Sequence, residues 1–156
     1  MKQNGGERPG EMSALMRLLK VASLIQKPIR DGASIPIGIA PNDLRILMAL
    51  GGEGAMAGFE LADRIGMLPM NVSRSLDALQ KLGLVEPVAD TRNRRRKPHQ
   101  LTQAGWDRFR ETEARIASLS DFLLGDLSAA DRARFDATLQ HLDRRIADWP
   151  SPPRAA

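Results

Sequence analysis

Apolar residues recur at positions 12, 15, 19, 22, 25 and 29. That spacing describes a helix with one continuous apolar stripe. It predicts a first helix over 11–31, after a polar, glycine-bearing stretch 1–10 with too little apolar content to order. Residues 32–40, GASIPIGIA, read as a loop. Pro41, a favoured first helical residue, opens a short helix to Leu50 with Leu44, Leu47 and Met48 inward, stopped by Gly51 and Gly52. A third helix over 57–66 turns Leu61, Ala62 and Ile65 inward and is capped by Gly66. A fourth runs from Pro69 to Leu82 and is closed by Gly83. Its apolar face is Val72, Leu76 and Leu79; Met70, Asn71, Ser73, Arg74, Asp77 and Lys81 lie opposite.

Two extended segments follow, near 84–88 and 98–102, and Pro87 and Pro98 limit them to a small ribbon. Thr102 caps a long helix bearing Trp106, Phe109, Ile116, Leu119 and Leu123. Ser128-Ala-Ala-Asp131 reads as a capping box. The last helix carries Phe135, Leu139, Leu142, Ile146 and Trp149 at spacings of 4, 3, 4 and 3, a heptad seam. The expected fold is mainly α, a single domain over 11–149. A winged helix-turn-helix head at 41–102, with a β-ribbon wing, stands between terminal helices 11–31 and 103–149; residues 150–156 form a tail. A small winged head hardly covers three apolar seams. Leu15, Leu19, Phe135, Leu139, Leu142, Ile146 and Trp149 are therefore expected to form a homodimer interface.

Composition narrows the chemistry. The 156 residues include no cysteine, no tyrosine and only two histidines, His99 and His141. This excludes disulfides, thiolate chemistry and a Cys- or His-rich metal site. There is no phosphate-cradling glycine loop and no carboxylate cluster, so neither an enzyme nor a cofactor or metal is expected. No apolar run approaches the ~20 residues that span a bilayer. The polar N-terminus holds no signal core, so a soluble, cytoplasmic protein away from the membrane is expected.

Charge placement is more telling than its sum. The net charge is +4, and residues 90–97, Asp-Thr-Arg-Asn-Arg-Arg-Arg-Lys, carry five bases against one acid. The remainder of the chain balances, so the whole positive excess sits in one ribbon tip. Arg92, Arg94, Arg95, Arg96 and Lys97 thus form a candidate phosphate-binding wing. A hairpin rich in arginine suits the narrow minor groove, whose negative potential attracts guanidinium. A helix presenting Met70, Asn71, Ser73, Arg74 and Lys81 suits the major groove, where amide and guanidinium groups pair with base edges. Arg74 is the strongest candidate for a base contact. The alternative is a winged-helix protein-interaction module that does not bind DNA.

Residues 39–105 resemble the MarR family of bacterial transcription regulators. FELADRIGMLPMNVSRSLDALQKLGLV is similar to the family's helix-turn-helix, DTRNRRR to its wing signature, LTQAG to the start of its long fifth helix, and IAPNDLRIL to the opening of its second. The resemblance implies a homodimer with two winged heads on a palindromic double-stranded DNA operator, acting as a repressor released by a small organic ligand such as an aromatic acid or its thioester. It also implies an effector site between the dimer helices and the head, for which Met16, Arg17, Ser23, Ile46 and Met48 are the candidates. Three departures carry expectations. Asn93 in place of the wing aspartate predicts the loss of a supporting ion pair. Glu86 and Pro87, where a basic strand residue is common, predict one phosphate contact fewer. Asp43 and Leu44, in place of a glutamine-aromatic pair, predict a different effector site.

Overall fold

A computed structural model describes residues 9–149 apart from 92, 94 and 95. The chain divides between Leu119 and Ser120 into two compact units. The first unit opens with α1 (Pro9–Leu24) and a short α2 (Gln26–Ile29). The helical path does not stop at Asp31-Gly32. It widens into a π turn over Arg30–Ser34 and tightens into a 3-10 turn over Ile35–Ile37. The change of pitch turns Ala33, Ser34 and Ile37 into the core, and left-handed Gly38 (φ 68°) ends the run.

Helix α3 (Pro41–Glu53) starts at its proline, as expected, but continues through Gly51 and Gly52 to Gly54. The reason is tertiary. A Cβ on Gly51 would lie 2.2 Å from the Phe109 ring, so the bare backbone is the seat on which that ring packs. Leu44, Ile46, Leu47 and Leu50 are all buried along α3. Helices α4 (Gly58–Ile65) and α5 (Pro69–Lys81) match their expected spans, with left-handed glycines 66 and 83 following them. Val72, Leu76 and Leu79 are buried, joining Leu47, Leu61 and Phe109 in one core.

The sheet has three antiparallel strands, in the order β1-β3-β2, rather than two. They are β1 (Met56–Ala57), β2 (Val85–Pro87) and β3 (Pro98–Leu101). Met56 pairs with His99, and Val85 with Leu101. Pro98 opens the central strand, where its missing N–H does least harm.

Helix α6 (Gln103–Leu124) is set by its entry. The Thr102 amide donates to the Leu84 carbonyl (3.1 Å) and its hydroxyl to the Gly83 carbonyl (2.6 Å); the Gly105 amide donates to the Thr102 oxygen (3.0 Å). A Cβ on Gly105 would lie 2.0 Å from the Leu84 oxygen. The Leu-Thr-x-x-Gly pattern is thus a cap plus a close backbone approach. In the second unit, Ser128 caps α7 (Ala129–Ala147) by accepting from the Asp131 amide at 3.1 Å. Phe135, Leu139, Ile146 and Trp149 are exposed there, and Leu142 is half-buried. Leu15 and Leu19 of α1 are each 54% exposed. No helix among the described residues is long and apolar enough to cross a membrane.

Candidate nucleic-acid interface

The turn between α4 and α5 is short. The Met67 amide returns to the Ala62 carbonyl at 3.1 Å, Met67 is buried, and Leu68 is extended before Pro69. Anchored by Val72, Leu76 and Leu79, α5 turns its other face outward. Met70, Ser73, Arg74 and Lys81 are exposed and Asn71 is half-buried. The Arg74 guanidinium has no ion pair among the described residues, which leaves its donors free for a ligand. The N-terminal turn of α5 has no side-chain cap. Its orphan amides favour an approaching anion.

The wing is braced by carboxylates. The Val88 amide donates to the Pro98 carbonyl at 2.8 Å, which closes the base. The Asn93 amide donates to Asp90 Oδ1 at 3.0 Å, and the Arg96 amide to the Asn93 carbonyl at 2.9 Å. Arg96 is not spread into solvent. Its Nη1 reaches Asp90 Oδ2 at 2.9 Å, while Nε and Nη2 form a two-bond fork on Glu60 at 2.8 and 2.7 Å. The expectation that Asn93 costs the wing its ion pair is therefore corrected. Asp90 and Glu60 supply the carboxylates, and the wing keeps an ion pair with asparagine at position 93. Lys97 is exposed, whereas Arg92, Arg94 and Arg95 lie outside the described residues. On β2, Glu86 accepts from Gln100 at 2.9 Å across the strands.

Glu60 was absent from the sequence reading. It sits in the first turn of α4 and also accepts from the Ala57 amide at 2.7 Å. The Arg96 fork, then this amide, hold its carboxyl below the usual range, and the two carboxylates hold Arg96 above its own. A glutamate three residues into a helix is a capping signal, but nothing local pairs it with an arginine 36 residues on. Burial lowers His99 below the ordinary imidazole range, against the Asp77 charge on α5.

The expected effector residues stand in differing surroundings. Met16 is exposed; Arg17 touches Ser13 Oγ at 3.4 Å; Ser23 returns to the Leu19 carbonyl at 3.0 Å; and Ile46 is fully buried in the core. Met48 lines an open cleft of about 440 Å³ between α3 and α4, with Leu44, Arg45, Ala49, Glu53, Arg64 and Ile65. Its two arginines are engaged, Arg45 with the Ile65 carbonyl and Arg64 with Glu53. Among the described residues no group of three or more acidic or histidine side chains is placed to hold a metal.

Helices α4 and α5, joined by a short turn and followed by the antiparallel ribbon of β2 and β3, form a winged helix-turn-helix. Residues 37–96 match the model of the MarR family. Solved structures agree along most of the chain. BldR, a transcriptional regulator from Sulfolobus solfataricus, is 20% identical with a TM-score of 0.76, covering 92% of this chain and 100% of that one. The PcaV transcriptional regulator from Streptomyces coelicolor, solved with its natural ligand, is 25% identical with a TM-score of 0.63, covering 95% and 97%. NadR, solved with 4-hydroxyphenylacetate, is 19% identical with a TM-score of 0.69, covering 91% and 96%. No curated protein matches the sequence.

Proposed function

We propose that this protein is a homodimeric, sequence-specific DNA-binding transcription regulator that acts as a repressor and is released by a small organic anion. The observation that carries the reading is Arg74: exposed, without an ion pair among the described residues, and on the face of α5 opposite its buried anchors. In a major groove its fork would meet a guanine edge. Arg74→Ala should then cost roughly 1–3 kcal/mol on the cognate duplex and relax specificity at one or two positions, with much less change on random DNA. Equal loss on both would make Arg74 a phosphate contact. Absence of any salt-dependent duplex binding would leave a protein-interaction module.

The homodimer is supported by the exposed apolar residues of α1 and α7, which a second copy would cover. Two recognition helices about 34 Å apart would then fit a palindromic operator. The ligand proposal draws on PcaV and NadR, both solved with bound ligands. Arg17 supplies the guanidinium that would pair with the carboxylate, and Met16, Ser23 and Met48 remain further candidates for the site. Sedimentation should show a dimer at micromolar concentration, and an aromatic acid or its thioester conjugate should weaken operator binding and raise the melting temperature. A ligand favouring the mismatched geometry tenfold per site would lower DNA affinity roughly a hundredfold across two sites. An effect that survives Arg17→Ala undiminished would remove that residue from the site.

A further inference from the structure

We infer that Glu60 is a positioning residue for DNA binding: through Arg96 it ties the basic wing to α4, the helix that packs against the recognition helix. The inference rests on the DNA-binding reading above.

The wing and α5 belong to different parts of the chain, and each must reach its own groove at once. Something must fix the spacing between them. Asp90 and Arg96 bracket the segment that holds Arg92, Arg94 and Arg95, and their 2.9 Å pair closes that segment. That pair lies within the wing and does not reach α4. The attachment is Glu60, whose carboxylate takes the Arg96 fork and is itself held by the Ala57 amide, where β1 becomes α4. Arg96 and Glu60 are each 30% exposed at the side chain, and Asp90 is 14% exposed. The group is thus partly withdrawn from water, where charge-assisted fork geometry counts for more than on an open surface.

The charge balance sharpens the inference. Among the described residues one guanidinium, Arg96, faces two carboxylates, Glu60 and Asp90. If Arg96 were a phosphate contact and Glu60 a bystander, removing the Glu60 charge would strengthen DNA binding by lifting a repulsion. If Glu60 positions the wing, removing it weakens binding although the protein becomes more positive. The two roles predict opposite signs.

The test uses the full-length protein and a duplex selected from a random pool, titrated over a range of salt concentrations. Glu60→Gln, which keeps the shape and loses the charge, should weaken binding about tenfold with an unchanged log–log salt slope. Arg96→Lys, which keeps the charge and loses the fork, should do the same. Lys97→Ala provides the contrast of a true phosphate contact, flattening the slope by about 0.9. Amide exchange over residues 90–97 of the free protein should accelerate in Glu60→Gln and Arg96→Lys while the core amides stay protected. Should Glu60→Gln fail to fold, Arg96→Lys carries both measurements. Tighter or unchanged DNA binding by Glu60→Gln, or full affinity in Arg96→Lys, overturns the inference. If the wild type binds no duplex, the DNA reading fails, and unchanged exchange in the variants would separately refute the anchor.

Discussion

Removing Arg92, Arg94 and Arg95 together should flatten the salt dependence of duplex binding by about 2.7 in log–log slope, at about 0.9 per lost phosphate contact. At moderate salt the triple alanine variant should bind roughly a hundredfold more weakly, taking the net value of each charge-assisted phosphate contact at about 1 kcal/mol. The loss should extend to all duplex sequences, because phosphates carry no sequence information. If one of these arginines enters the minor groove, preference for A·T-rich flanks should fall as well. Fold stability should hardly move, since Arg96, which braces the wing through Asp90 and Glu60, is left in place. An unchanged salt slope would place the wing away from DNA. Including Arg96 in the set would mix two effects, the loss of charge and the loss of the brace.

Replacing Gly105 with alanine should destabilise the head by about 3–5 kcal/mol, a large share of the 5–15 kcal/mol that typically holds a domain folded. The new Cβ would stand 2.0 Å from the Leu84 oxygen and 3.2 Å from the Leu101 Cβ. A backbone oxygen has no rotamer by which to yield, so the start of α6 must move off the sheet. Overpacking alone costs about 1–3 kcal/mol. The movement also stretches the bonds that Thr102 makes to Leu84 and Gly83, each worth about 1 kcal/mol. Urea unfolding measures the effect, and a change below about 1 kcal/mol would refute the account. Gly52→Ala is the matched control. It too is helical, but a Cβ there meets nothing within 4 Å. That substitution should be neutral or stabilising by up to about 1 kcal/mol.

The recognition helix was legible because every signal for it is local. Pro69 starts it, Gly83 follows it, and Val72, Leu76 and Leu79 recur at helical spacing, so its outward face could be read without a structure. The basic tip was legible from charge placement alone. Gly51 and Gly52 misled, because a glycine pair marks a helix end only where nothing packs on the bare backbone, and here Phe109 does. Strand β1 is two residues long, too short to show a period, and exists because β3 offers an edge beside Met56 and Ala57.

What the sequence determined by itself is therefore the order of the main helices and of the ribbon, the inward face of α5, and the siting of the positive charge. These follow from periodicity, end signals and composition, all of which act within a few residues of the chain. What only the tertiary structure decided is how those elements are joined: the passage of α3 through two glycines, the close approach of Gly105 to Leu84, and the division of the wing's bases. Sequence made Arg96 one of five equivalent cations. The fold sets it between Asp90 and Glu60, and so separates a bracing arginine from the exposed Lys97. The physical reason is that an ion pair spanning 36 residues leaves no local signature: it depends on the strand register and helix packing that bring β1, α4 and the wing together.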